Sequence, residues 1–126
     1  MNSRDADNLD TLRRSIPESS VQAAIRDWFV MHGAVVIRLN SGVMQTPDGN
    51  RRFMANSWYA PGHRQETAGA PDLLVMYRGT SFAVEVKRSG ERQRPAQIEF
   101  QAAWEAAGGG YMVASSLEDV IREVGG

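Results

Sequence analysis

From residue 17 onward the apolar positions change period several times, and each change marks an element. Val21, Ile25, Trp28 and Phe29 recur at helical spacing, which predicts an amphipathic helix. Ser15 is placed to cap it, Pro17 suits its first turn, and Glu18 follows Ser15 by three residues as in a capping box. Gly33 is its stop. GAVVIRLN reads as a buried strand ending at Asn40. Between residues 41 and 70 the period is lost in a segment rich in Gly, Pro, Asn and Gln. Thr46-Pro47-Asp48-Gly49-Asn50 is a turn signal there, so VMQT can pair with RFMA in a short hairpin. DLLVMY and FAVEVK, joined by Arg78-Gly79-Thr80-Ser81, form a second hairpin. KRSGERQRP is a basic loop, and PAQIEFQAAWEAA a helix from near Pro95, stopped by Gly108-Gly109-Gly110. YMVA is a short strand and SLEDVIREV a final helix capped by Ser116. The order predicts an α/β fold, a mixed central β-sheet flanked by helices.

Composition narrows the function. The chain has 126 residues, 42% of them hydrophobic and 23% charged, the balance of an ordinary globular domain. Residues 1–15 are polar and expected to be a flexible N-terminal segment; residues 16–126 are expected to form one domain. There is no cysteine, which removes disulfides, thiolate metal sites and cysteine nucleophiles together. No stretch reaches membrane-spanning length and no apolar leader is visible, so a cytoplasmic protein without a membrane partner is expected. The net charge of −1 is unevenly spread: residues 38–94 are basic, and the two flanks are acidic. A basic middle is compatible with a phosphate-binding surface. The long segment interleaves Arg51, Arg52 and Arg64 with Phe53, Trp58 and Tyr59, which suits a nucleic-acid-contacting loop. A decorated surface loop over a small satellite core fits it equally well.

Of the 14 basic side chains, Lys87 is the single lysine. An ammonium is a compact point charge that can give up a proton, which a guanidinium cannot do. Side chains alternate along a strand, so Ala83, Glu85 and Lys87 share one face. With the turn placed at Gly79-Thr80, Asp72 lies directly opposite Lys87 and diagonal to Glu85. Three ionisable groups then meet at one end of a hairpin whose apolar neighbours predict a central position in the sheet. Carboxylates there need compensation, and one ammonium cannot balance two of them. A divalent cation can, and oxygen-only ligands point to Mg²⁺ or Mn²⁺ rather than zinc.

Gly69-Ala70-Pro71-Asp72, the hairpin, and Glu85-Val86-Lys87 resemble the PD-(D/E)XK nuclease signature. More of the chain resembles one branch of it, the virus-type replication-repair nuclease (VRR-NUC) family. A first helix bearing an acidic residue is matched by Glu18, and Arg38-Leu39-Asn40-Ser41-Gly42 matches the segment after the first strand. Gln97 opens the helix that follows the basic loop, and Gly108 to Val124 match the closing turn, strand and helix. The likeness spans roughly residues 16 to 124 and implies a restriction-endonuclease-like core. It implies that Asp72 and Glu85 ligate the metal, with the Val86 carbonyl as a backbone ligand and Glu18 completing the shell. It implies that Lys87 orients or deprotonates the attacking water, or holds the scissile phosphate. Gln97 would position substrate, although the aromatic that related nucleases carry four residues on is here Gln101. Glu18 and Gln97 also have plain readings, as a capping-box partner and as an early-helix polar residue.

The expected function is a Mg²⁺- or Mn²⁺-dependent endonuclease on structured DNA, by resemblance a phage or bacterial homodimer resolving four-way junctions. Arg51, Arg52, Arg88, Arg92, Arg94, Asn40 and Ser41 are the expected DNA contacts. Flaps, nicked duplex or a specific sequence are alternative substrates. A non-catalytic DNA-binding module that keeps the fold is the alternative from another class.

Overall fold

A computed structural model describes residues 8, 12, 16–39, 42–54 and 56–125; most of the polar segment 1–15, with Ser15, and both Asn40 and Ser41 lie outside these. Helix α1 runs Glu18–Met31. Its N-cap is Pro17, at φ −59° and ψ 142°, and no side chain caps it. Glu18 is therefore the first helical residue rather than the third of a capping box, and its charge faces the positive end of the helix dipole. Ile25 and Phe29 are fully buried along the expected stripe.

Four strands form the central sheet: β1 (Val35–Arg38), β6 (Leu73–Tyr77), β7 (Thr80–Val86) and β8 (Gly110–Ala114), in the order β1-β6-β7-β8. The first three are antiparallel, while β8 runs parallel to β7. The parallel pair is joined through helix α2 (Pro95–Ala106), and helix α3 (Leu117–Val124) follows β8. As expected, Ser116 caps α3, accepting from the Asp119 amide at 3.3 Å. The β6–β7 hairpin is central, as its apolar flanks predicted.

Strand β1 departs from expectation. It lies at the sheet edge, with Val35 68% and Ile37 55% exposed. The unbroken apolar run suggested burial on both faces, but only the Val36 side packs on the main core. That core holds Leu73, Val75, Val84, Val86, Met112 and Ala114 from the sheet, with Ile25 and Phe29 of α1 and Val120 of α3. The opposite face carries a smaller cluster of Ala83, Phe100 and Trp58.

The segment between β1 and β6 folds into two hairpins. β2 (Gly42–Gln45) pairs with β3 (Arg51–Met54) in the expected place. β4 (Trp58–Ala60) pairs with β5 (His63–Glu66) around Pro61-Gly62 and was not anticipated. Trp58 is buried against Phe100 with ring centres 5.3 Å apart. It belongs to the satellite core, which its ring helps to brace.

Candidate active site

The β6–β7 turn sets the geometry of the site. Its central residues are Arg78 (φ 49°) and Gly79 (φ 77°), with Tyr77 paired to Thr80. Two consecutive positive φ values make the tight turn whose twist suits a hairpin. The turn expected at Gly79-Thr80 is therefore one residue off, and the register differs from the expected one by two. Leu73 faces Val84, so Asp72 comes opposite Glu85 instead of Lys87. A shift of two keeps every side chain on its face, and Asp72, Glu85 and Lys87 still converge. The Asp72 amide donates to the Val84 carbonyl at 3.2 Å. The Val86 amide donates to Asp72 Oδ2 at 2.7 Å. The Asp72 carboxylate thus takes the place of a backbone acceptor at the end of the ladder. The Lys87 amide has crossed to β8, donating to the Ala114 carbonyl at 2.9 Å.

Asp72, Glu85, Val86, Lys87, Arg94, Gln97 and Glu18 line one cavity of about 250 Å³. Three of these side chains are buried although polar: Glu85 is 4% exposed, Lys87 7% and Gln97 7%. Gln97 uses both ends of its amide. Its Oε1 accepts from the Arg94 backbone N–H at 2.8 Å, and its Nε2 donates to Glu85 Oε1 at 3.0 Å. Glu85 Oε2 is buried with no hydrogen-bond partner among the described residues.

Electrostatics follow from this crowding. Burial pushes the Glu85 carboxyl up to about 8, the neighbouring Asp72 charge adds to it, and Lys87 and Arg94 oppose it. Burial also raises Asp72, against the Val86 amide that favours its charged form. The cost of burying both charges thus outweighs what Lys87 and Arg94 offset, and the pair favours holding a proton. Burial and the Glu85 charge likewise push the Tyr111 hydroxyl upward at the site's edge.

An orphaned, buried carboxylate oxygen beside a second carboxylate fits a hard cation. Among the described residues no group of three or more His, Asp or Glu side chains gathers to hold a metal. The two carboxyl groups fall short of a dedicated metal cage and would leave most of an ion's positions to water, which Mg²⁺ accepts. Glu18, expected to complete the shell, lines the cavity but stands apart from the pair. Its half-exposed carboxylate lies 4.0 Å from Arg88 Nε, because the first helical position sits at the cavity mouth.

The other expected contacts separate. Arg94 borders the cavity and Arg88 stands at its mouth beside Glu18. Arg92 is exposed in the same loop. Arg51 and Arg52 are exposed on β3, outside the cavity lining. Glu91 and Asn56 line the cavity as well and were not anticipated. Gly69 carries no chemistry of its own but shapes the cavity wall. At φ 97° it lets the 67–70 wall press against the Ala96 carbonyl at the start of α2, where any Cβ would collide.

No protein-family model matches the chain, and no curated protein matches it. A solved structure described as a VRR_NUC domain is similar, with a TM-score of 0.59 and 24% sequence identity. The likeness covers 86% of this chain and 94% of that one. It shows the fold: a mixed sheet flanked by helices, in the restriction-endonuclease-like arrangement.

Proposed function

We propose that this chain, with the fold of a VRR-NUC domain, is a Mg²⁺- or Mn²⁺-dependent deoxyribonuclease that hydrolyses phosphodiester bonds in structured DNA. One observation carries the reading. Asp72, Glu85 and Lys87 line a single cavity, with one buried Glu85 oxygen left without a partner. Two carboxyl groups buried side by side, with Glu85 pushed up by that burial, are costly unless a cation shares their charge.

Asp72 Oδ and Glu85 Oε2, with the Val86 carbonyl, would hold the cation. Bound there, the ion supplies Lewis-acid stabilisation of the phosphate and a more acidic water. Gln97 holds Glu85 Oε1, which fixes the carboxyl group and would leave Oε2 to the cation. Lys87 either holds a non-bridging phosphate oxygen as the ammonium, where its charge stabilises the transition state, or as the neutral amine orients the attacking water and takes its proton. Arg88, Arg92 and Arg94 stand on the loop leaving β7 and meet the flanking phosphates. The branched, four-way substrate and the homodimer rest on the family resemblance. Two-fold symmetric cutting of two strands supplies a physical motive for a dimer.

The test is cleavage of labelled DNA with Mn²⁺ or Mg²⁺ across four-way junctions, flaps, nicked duplex and plain duplex, with EDTA as control. Metal-dependent cutting with a preference for the junction is expected. Binding without cutting on every substrate and with either metal would mean a DNA-binding module that has kept the fold.

A further inference from the structure

Beside the carboxylate cavity, on the same face of the sheet, lies a groove of about 480 Å³, within the size range of ligand pockets. Its lining is apolar and aromatic, with Leu74 from β6, Trp58 from β4, and Phe100, Ala103 and Trp104 from α2. These rings brace one another. Phe100 meets Trp58 edge-on at 5.3 Å and lies within 20° of parallel to Trp104 at 5.7 Å. Both indole N–H groups point into the protein: Trp58 Nε1 donates to the Ala68 carbonyl at 2.8 Å, and Trp104 Nε1 to the Gly110 carbonyl at 2.7 Å. Trp58 and Phe100 are buried and hold the wall rigid, so the half-buried Trp104 ring, with Leu74 and Ala103, is what the groove offers a flat apolar ligand.

The groove and the cavity adjoin, sharing Asn56 and Ala70 in their walls, and Ala70 stands two residues before Asp72. A ligand filling the two together needs an anionic part beside Lys87 and Arg94, joined by a short link to a flat apolar part. A nucleotide has that construction. Resting on the nuclease reading above, we infer that the groove takes an unpaired nucleobase of the substrate strand, next to the scissile phosphate. A base inside a stacked duplex cannot reach it without being flipped out. Unpaired nucleotides, as at gaps, bulges and branch points, enter at less cost. Recognition by stacking is tolerant of base identity, since every base has a π face. The site thus selects for DNA that is locally unpaired, whatever its sequence.

The experiment measures binding in EDTA, where no cleavage intervenes, to three DNAs. They are a flush duplex, the same duplex carrying one unpaired 2-aminopurine nucleotide, and that duplex with an abasic residue in its place. The wild-type chain is expected to bind the 2-aminopurine DNA roughly ten- to a hundredfold more tightly than the abasic one, the scale of one stacked base, and to quench its emission. Ala103→Phe, which fills the groove, is expected to erase that difference at an unchanged melting temperature. Equal affinity of the wild-type chain for the 2-aminopurine and abasic DNAs overturns the inference and leaves the nuclease reading standing. Absence of binding to all three overturns the inference, and cleavage with Mn²⁺ decides the nuclease reading separately. A fall in assembly mass on Ala103→Phe, with the base preference retained, assigns the groove to a second copy of the chain and overturns the inference.

Discussion

Glu85→Gln offers a quantitative test of the crowded carboxylates, because the variant keeps the shape and removes the titration. In the fold, Glu85 holds its proton up to about pH 8, against an ordinary value of 4.5. Between those values the unfolded chain has released a proton that the folded chain still binds. Stability must therefore fall as pH rises through this window, and it is fully present only below it. Over roughly three and a half pH units, at about 1.36 kcal/mol each, the ceiling is ~5 kcal/mol. The cavity opens to solvent and the pair shares its charge, so about 2–3 kcal/mol is a sounder expectation. Asp72, also raised by burial, contributes with the same sign. The assay is urea unfolding in EDTA at pH 5 and pH 8. Wild type is expected to lose stability at the higher pH, and Glu85→Gln to lose much less. Adding Mg²⁺ or Mn²⁺ at pH 8 should restore wild type by mass action and leave the variant little changed. Equal wild-type stability at both pH values, or an unaltered slope in the variant, would refute the reasoning.

Gly69→Ala combines left-handed backbone strain with a Cβ driven into the Ala96 carbonyl. It should cost more than Gly62→Ala, where φ is 81° but the space is open and strain alone amounts to roughly 1–2 kcal/mol; equal denaturation midpoints would contradict the contact. Alanine at Arg88, Arg92 or Arg94 should weaken binding to all DNA sequences and flatten the salt dependence by about 0.9 per lost phosphate contact. Loss confined to one sequence would make these base contacts. Light scattering is expected to give a dimer mass, and a monomer that still cleaves junctions would defeat the two-fold account.

How much of this was legible beforehand depended on the kind of signal. Alternation along FAVEVK placed Glu85 and Lys87 on one face, and parity preserved that result when the register moved by two. The register itself failed because Arg78 occupies a left-handed conformation that a non-glycine residue seldom adopts, so the turn was sought one residue later. The α1 stripe, the stop at Gly33 and the Ser116 cap were readable as local chemistry. Burial of β1 was not, since an apolar run cannot say whether its strand lies at the centre or the edge. Trp58 was ambiguous for a similar reason. Its partner Phe100 is far along the chain, and composition cannot separate a core tryptophan from a base-stacking one. The β4–β5 hairpin did carry a signal in Pro61-Gly62, but its strands are too short for periodicity to register. Convergence of Gln97 on Glu85 was invisible without the packing of α2, although the residue itself was marked. Glu18 shows the reverse case: the residue itself was marked, while its place beside Arg88 depended on where the helix begins.

The central claim is that Asp72, Glu85 and Lys87 form a hydrolytic centre, and Lys87→Arg tests it most directly. Charge is conserved, but the cavity of about 250 Å³ around the buried Lys87 must accept a larger, planar group that does not give up a proton. Binding in EDTA and cleavage in Mn²⁺ are measured side by side on one labelled four-way junction. The account predicts binding close to wild type, with cleavage slowed by roughly two orders of magnitude, the scale of a lost general base or charge-stabilising group. Near-normal cleavage by the arginine variant would contradict it.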